Sequence, residues 1–164
     1  MIEAVIFDLD GTLINLPIDY ENLFRKFSKI MGTDGIQPIT KTILKLDEKT
    51  RKKIFDVWDR AESAALENRT VKEKGMVLYR KFSEKPKALV TLQGKALAQN
   101  VLESLNLCFN FVVTREDSLD RVEQLKIAAQ KLGVDLQNVL FIGNTEGDSI
   151  AAKNVECKFL RVKE

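Results

Sequence analysis

Short, largely apolar runs recur along the chain and alternate with stretches of helical periodicity. Residues 2–7 are apolar apart from Glu3, and similar runs follow at 88–92, 109–113, 139–142 and 159–162. Near-continuous apolar runs of this length are typical of strands buried on both faces, and helices between them favour a parallel sheet. The pattern therefore predicts an α/β fold built on a doubly wound, five-stranded parallel sheet.

The helical stretches between these runs place their apolar residues on one face. Such faces are formed by Leu97, Val101, Leu102 and Leu105, and again by Val122, Leu125, Ala129 and Leu132. Gly133 follows the second set, where a glycine commonly ends a helix. We expect a last short helix around Ile150 to Asn154, before the fifth strand.

One long insertion breaks the rhythm. About 75 residues separate the first predicted strand from the second, against roughly 30 in a simple strand–helix–strand unit. Within it we expect a helix capped by Asp19 and ended by Gly32, a second over Ile54 to Ala65, and a third opened by a capping box of Thr70 with Glu73. We therefore predict an α/β core of 1–14 and 85–164 and a helical cap of 15–84.

Composition excludes several kinds of site and partner. The 164 residues have a formal net charge of +2 and no histidine. This charge gives no argument for nucleic acid, and the lack of histidine removes Ser-His-Asp and Cys-His nucleophiles. No apolar run reaches the ~18 residues that span a bilayer, and no signal peptide is evident. The spacing of Cys108 and Cys157 is not that of metal-binding cysteines, so we expect reduced thiols. We also expect a cytoplasmic protein that is a monomer or a homodimer.

Two carboxylates follow the first predicted strand. Asp8 and Asp10 stand in the string Asp-Leu-Asp-Gly-Thr. Ligands bind at the carboxyl ends of parallel strands, and alternation along an extended segment points residues 8 and 10 to the same side. Paired carboxylates favour a hard cation such as Mg²⁺, and Gly11 permits a tight turn directly after them.

This string resembles the first motif of the haloacid dehalogenase superfamily. The insertion behind it resembles the helical cap of the phosphoglycolate-phosphatase-like branch. The resemblance implies a Mg²⁺-dependent phosphatase that acts on a small phosphorylated metabolite. Asp8 would be the nucleophile, form an aspartyl-phosphate and ligate Mg²⁺ together with the Asp10 carbonyl, and the Asp10 side chain would transfer protons.

The resemblance extends to two further motifs. Thr91, at the end of the second predicted core strand, would donate its hydroxyl to phosphate, and Gln93 is a further phosphate-binding candidate. The motif's basic residue would be Arg121, seven positions after Thr114 in the segment Thr-Arg-Glu-Asp, with Lys126 as the alternative. This residue would bind both phosphate and the nucleophile.

The fourth motif departs from the family's usual form. The chain reads Gly143-Asn144-Thr145-Glu146-Gly147-Asp148, with an asparagine where relatives carry the first metal-binding aspartate. The expected metal ligands are Asp8, Asp10, Asn144 and Asp148, with Glu146 a possible replacement for the lost charge. Asn144 motivates one alternative, a non-catalytic relative that binds phosphate ligands or a partner, and a sugar-phosphate mutase is a second.

Overall fold

The fold alternates strands and helices around one parallel sheet. This computed structural model describes residues 1–33 and 39–163. Within these ranges the order is β1 (Ala4–Asp8), β2 (Ile14–Asn15), α1 (Tyr20–Met31), α2 (Ile39–Leu44), α3 (Glu48–Leu66), β3 (Thr70–Val71), α4 (Glu73–Lys81), β4 (Lys87–Val90), α5 (Lys95–Ser104), β5 (Phe111–Val113), α6 (Arg121–Leu132), a 3-10 turn at Leu136–Asn138, β6 (Val139–Gly143), α7 (Glu146–Asn154) and β7 (Lys158–Arg161).

Five of the strands form the sheet, in the spatial order β5–β4–β1–β6–β7. Every pairing within it is parallel. All residues of β1 and β4 are buried, as near-continuous apolar runs require. The predicted α/β class and five-stranded parallel sheet are confirmed, and each strand lies within two residues of its predicted run.

Hydrophobic clusters cover both faces of the sheet. One joins Val5 and Phe7 to α4 and α5, and the other joins Ile6 and Phe141 to α6 and α7. Side chains of a strand alternate between faces, so neighbouring residues of β1 divide between the two clusters. The result is the doubly wound, three-layer arrangement expected from the sequence.

A third cluster lies in the insertion after β1. Leu23 and Phe27 of α1 pack there with Ile54 and Trp58 of α3. The antiparallel pair β2–β3 stands at the base of this insertion. Helix α4, in contrast, packs with the sheet through Met76 and its neighbours. The cap boundaries of 15–84 stay a prediction, and these contacts favour a cap that ends before α4.

Several predicted helix ends are confirmed, and one is wrong. Asp19 caps α1 by accepting the Asn22 N–H, and Gly32 and Gly133 end their helices with φ of 66° and 70°. The Thr70–Glu73 capping box does not form. Thr70 pairs with Asn15 in the β2–β3 ribbon, and α4 begins after Lys72, whose side chain makes no capping hydrogen bond. The segment at Thr70, which the local sequence predicts to be a helix start, instead pairs with β2 as a strand.

Among the described residues, no helix combines the length and apolar character needed to cross a bilayer. Both cysteines are free thiols. Cys108 is exposed, while Cys157 is partly buried against the cluster of α6 and α7.

Candidate active site

Asp8 is the last residue of the central strand β1 and is 4% exposed. One carboxylate oxygen, Oδ2, accepts the Thr12 hydroxyl at 3.2 Å, and Oδ1 accepts Arg121 Nη2 at 2.9 Å. Burial raises the pKa of Asp8 to about 7, and the positive charge of Arg121 opposes that rise. The site therefore holds a buried carboxylate that is partly ionised near neutral pH.

Asp10 lies in the loop after β1 and is half-buried. Its Oδ1 accepts the Leu16 N–H at 2.8 Å. Its Oδ2 faces two side-chain donors, the Tyr20 hydroxyl at 3.4 Å and Gln93 Nε2 at 3.5 Å. Burial raises the pKa of Asp10, and the hydrogen bonds from Leu16 and Tyr20 limit the rise. A raised pKa favours a carboxyl group that can hold and release a proton.

Tyr20 is a site residue that the sequence patterns did not single out. It begins α1, and its hydroxyl bridges Asp10 and Gln93. Burial and the neighbouring Asp10 charge raise the pKa of Tyr20 to about 12, so the phenol stays protonated and donates. No local motif marked this residue, because its contact with Asp10 depends on how the insertion folds back over β1.

Arg121 is the basic residue that the structure brings to Asp8. It opens α6, and its guanidinium contacts Asp8, Asp148 through Nε at 3.0 Å, and Gln124 through Nη1 at 2.8 Å. Gln124 is itself buried and donates to the carbonyls of Thr91 and Ser118. The alternative, Lys126, is exposed on the same helix. Arg121 thus stands between two carboxylates, with its geometry fixed from three sides.

Thr91 and Gln93 lie just after β4, beside Asp8. Thr91 is 1% exposed, and its hydroxyl oxygen accepts the Gln93 N–H at 3.0 Å. Among the described residues, the Thr91 hydroxyl donates to no acceptor, which leaves its proton available to an anion. Gln93 turns its side chain towards Asp10 and Tyr20 rather than towards Asp8. Of the two predicted phosphate-binding residues, Thr91 therefore lies on the Asp8 side of the site and Gln93 on the Asp10 side.

The side chain of Asn144 meets Asp8 and the main chain of Asp10. With its nitrogen turned inward, the amide donates to Asp8 Oδ2 at 3.1 Å and to the Asp10 carbonyl at 3.3 Å. With its oxygen turned inward, three oxygens converge, an arrangement that a cation between them would stabilise. Carboxylate, carbonyl and amide oxygens are ligands that Mg²⁺ accepts. The donor set fits Mg²⁺, although it supplies one negative charge.

Gly11 makes this approach possible. Its φ is +86°, in the region that favours glycine. A Cβ at this position would stand 2.1 Å from the Asn144 side-chain nitrogen. Any larger residue would push Asn144 away from Asp8, so the glycine is required by both backbone and space.

The two other acidic residues of the fourth motif have different surroundings. Asp148 is buried, its Oδ1 pairs with Arg121, and its Oδ2 accepts the N–H groups of Asn144 and Thr145. Both oxygens are thus already engaged. Glu146 points outward and pairs with Arg161 at 3.4 Å with 73% of its side chain exposed. This contact disfavours Glu146 as a replacement for the missing charge. Across the described chain no three His, Cys, Asp or Glu side chains are grouped to hold a metal.

A cavity of about 460 Å³ opens above these residues. Its floor includes Asp8, Thr91 and Arg121, and its upper wall is largely aromatic and aliphatic. The aromatic and aliphatic lining residues are Tyr20, Phe24, Ile39, Leu44, Trp58, Leu92 and Leu119, and Thr40 and Lys41 line the cavity beside them. The volume suits a small ligand, and the floor offers a buried carboxylate beside a cation and a hydroxyl.

A parallel α/β sheet with a buried, ion-paired aspartate at the end of its central strand, beneath a helical insertion, has its candidate site where open parallel sheets bind their ligands. Residues 5–162 match the family described as haloacid dehalogenase-like hydrolase. The chain belongs to this family. The match confirms the resemblance on which the sequence interpretation depended.

Relatives by sequence agree on the branch. The chain is 26% identical to a phosphoglycolate phosphatase of Neisseria meningitidis, over 95% of this chain and 78% of that protein. A phosphoglycolate phosphatase of Neisseria gonorrhoeae matches to the same extent. The prediction of an enzyme of the phosphatase class is confirmed.

Solved structures agree on the fold. A haloacid dehalogenase-like hydrolase from Streptococcus pneumoniae superimposes with a TM-score of 0.70 at 18% identity, covering 99% of this chain and 85% of that one. An enzyme of the same family from Bacteroides thetaiotaomicron, solved with magnesium and inorganic phosphate, gives 0.65 at 18% identity, covering 99% and 95%. These likenesses support the shared architecture.

Proposed function

We propose that this chain is a Mg²⁺-dependent phosphomonoester hydrolase that acts on a small phosphorylated metabolite through an aspartyl-phosphate. The observation that carries the proposal is the contact of Arg121 with Asp8 at 2.9 Å, on the floor of a cavity that also presents Thr91. A buried carboxylate, a guanidinium and a hydroxyl are the groups needed to attack and hold a phosphoryl group.

The residues divide the chemistry between two aspartates. The Asp8 carboxylate forms a bond to phosphorus as the bond to the leaving oxygen breaks, and Asp10 gives that oxygen its proton. Asp10 then takes a proton from water, whose oxygen attacks phosphorus and releases Asp8 and phosphate. Arg121 and Thr91 hold the phosphoryl oxygens during both steps. Tyr20 and Gln93 keep the Asp10 carboxyl in place.

Mg²⁺ would be held by the Asp8 carboxylate, the Asp10 carbonyl and the oxygen of Asn144. When bound, it supplies positive charge that offsets the charge of the phosphoryl oxygens. Asp148 acts through Arg121 in this proposal, since both its oxygens are engaged by protein donors.

The first test is a set of hydrolysis assays on the purified protein. We expect Mg²⁺-dependent release of phosphate from p-nitrophenyl phosphate, abolished by a chelator and restored by added Mg²⁺. A panel of phosphorylated metabolites, begun with 2-phosphoglycolate because of the relatives' names, identifies the substrate. Hexose 1-phosphates converted to isomeric phosphates without phosphate release would instead reveal a mutase.

A non-catalytic role is the second candidate, and Asn144 is the observation that favours it. Its inward-turned nitrogen can satisfy Asp8 and the Asp10 carbonyl without any ion. A protein that binds phosphate by calorimetry yet hydrolyses no ester at any Mg²⁺ concentration would establish this alternative.

Asn144→Asp should tighten Mg²⁺ binding. The change adds one negative charge beside the ion, and two unit charges 4 Å apart interact by about 4 kcal/mol at an effective dielectric constant of 20, a value that a divalent ion doubles. We expect a millimolar Mg²⁺ requirement in the wild type and one at least roughly tenfold lower in the variant, which corresponds to about 1.4 kcal/mol. Activity titrations against Mg²⁺ measure both.

Glu146→Gln is the matched control for that titration. Glu146 is exposed and pairs with Arg161, so its neutralisation should leave the Mg²⁺ requirement unchanged. The assigned ligand set would be contradicted if Glu146→Gln weakened Mg²⁺ binding while Asn144→Asp did not strengthen it.

A further inference from the structure

Arg115 is a buried cation outside the groups used above. It follows β5 and none of its side chain is exposed. Its guanidinium donates to Glu62 through two bonds, Nη1 to Oε2 at 2.8 Å and Nη2 to Oε1 at 2.9 Å, and Nη2 also contacts Asp59. Glu62 and Asp59 lie on α3 of the insertion. One cation on the sheet thus holds two carboxylates of the insertion, an arrangement we call the clasp (Arg115, Glu62 and Asp59).

Aromatic rings enclose the clasp. The guanidinium carbon of Arg115 lies 4.5 Å from the centre of the Trp58 ring and 5.5 Å from that of Phe55. Glu62 is 1% exposed. Bidentate contact with little access to water makes such a pair geometrically specific, and removal of one partner leaves the other charged and buried.

The clasp also fixes the main chain just after Thr91. Arg115 Nη1 donates to the Leu92 carbonyl at 3.2 Å, and the main-chain N–H of Arg115 donates to the Gln93 carbonyl at 3.3 Å. The Gly94 N–H donates to both Glu62 oxygens at 3.2 Å. A Cβ on Gly94 would stand 2.7 Å from Asp59 Oδ1, so the loop fits against the clasp without space for a side chain.

The residue in the middle of this loop is Gln93, which reaches into the active site. Its Nε2 lies 3.2 Å from the Tyr20 hydroxyl and 3.5 Å from Asp10 Oδ2. Contacts therefore run without a break from α3 of the insertion, through Arg115 and Glu62, to the group assigned to proton transfer.

We propose that Arg115 and Glu62 are positioning residues, which seat the insertion on the sheet and thereby place Gln93 and Tyr20 against Asp10. The pair touches neither substrate nor the reacting atoms. This proposal rests on the proposed function, because it assigns the pair to the proton-transfer half of that reaction.

Glu62→Gln tests the positioning role through two substrates. The variant keeps the side chain's shape and removes its charge. An alkyl phosphate such as glycerol phosphate needs a proton on its leaving oxygen, whereas p-nitrophenol leaves without one. We expect kcat to fall roughly tenfold or more on the alkyl ester, a part of the 10²–10⁴ that proton transfer contributes, and to change little on p-nitrophenyl phosphate. Asp56→Asn, on the same helix and half-exposed beside Lys52, should change neither.

Coupling to Gln93 distinguishes positioning from stability. If the clasp acts through Gln93, Gln93→Ala should lower kcat on the alkyl ester in the wild-type background and have almost no further effect in Glu62→Gln, since residues in one network are not additive. Additive losses would overturn the proposal. So would a lower melting temperature with an unchanged ratio of the two substrates' rates.

Trp58 gives a readout independent of turnover. It is the single tryptophan of the chain and is 3% exposed. We expect Glu62→Gln to increase acrylamide quenching of its fluorescence, with Asp56→Asn unchanged, and quenching like the wild type's would contradict a loosened clasp. Should Glu62→Gln fail to fold, the same measurements are made on Asp59→Asn, whose carboxylate is half-exposed.

The two proposals fail in different ways. A wild type that hydrolyses neither ester would refute the proposed function itself. A wild type that hydrolyses both esters, with the same ratio of rates in the variant, would refute only the positioning role.

Discussion

Asp8→Asn should abolish turnover while leaving the fold intact. An amide does not attack phosphorus as a carboxylate does, so the covalent route is lost. We expect kcat to fall by several powers of ten, each worth about 1.4 kcal/mol in the activation barrier. Steady-state assays with p-nitrophenyl phosphate measure the loss, and mass spectrometry must show that the amide has not reverted to the acid. Near-normal activity in an intact amide variant would reject Asp8 as the nucleophile.

Thermal unfolding of the same variant shows whether the fold survives. The pKa of Asp8 is raised from 3.8 to about 7 in the folded protein, chiefly by burial. Below about pH 4 the group is protonated in both states and has no effect on stability. As pH rises from about 4 to about 7, the unfolded chain releases this proton first, so the wild type loses stability. We therefore expect the melting temperature of Asp8→Asn, relative to wild type, to increase over this range.

Asp10→Asn should produce a loss that depends on the leaving group. The amide can still accept the Leu16 N–H that holds Asp10 in place, but it cannot supply a proton. We expect the rate of phosphoryl transfer from an alkyl phosphate to Asp8 to fall by roughly 10²–10⁴-fold. The rate of the same step with p-nitrophenyl phosphate should fall much less. Rapid-quench measurement of phosphoryl transfer to Asp8 separates that step from hydrolysis of the intermediate.

The second half of the reaction gives the matching control. Without a base at position 10, water attack on the aspartyl-phosphate should slow, so the phosphorylated protein should accumulate with p-nitrophenyl phosphate. Equal losses on both substrates without accumulation would remove Asp10 from proton transfer.

The sequence predicts the half of the site that lies at strand ends. Asp8 and Asp10 directly follow one apolar run, and Thr91 lies near the end of another. The pattern of such runs predicts a parallel sheet, so the convergence of these residues depends only on the order of the strands. Arg121 was predicted from its spacing, seven positions after Thr114, in a segment that resembles the family's third motif. Helix α6 packs against β1 and β4 on one face of the sheet, and this packing brings Arg121 to Asp8.

The other half depends on contacts between distant segments, which local patterns do not encode. Tyr20 reaches Asp10 only because the insertion returns over β1, and Arg115 meets Glu62 across 53 positions. The local sequence at Thr70 matches a capping box, but this segment pairs with β2 and does not begin a helix. The outward direction of Glu146 likewise depends on Arg161 at the far edge of the sheet.

The central place of β1 has a consequence for how the protein is made. Its two neighbours in the sheet are β4 and β6, which begin at Lys87 and Val139. During synthesis the strand that carries Asp8 is made before β4 and β6, so one of its edges has no partner until β6 has been translated. Unpaired strand edges invite association with other chains, and such distant pairings form slowly. The nascent chain is therefore most exposed to aggregation before β6 emerges, and a chaperone that shields β1 would act in that interval.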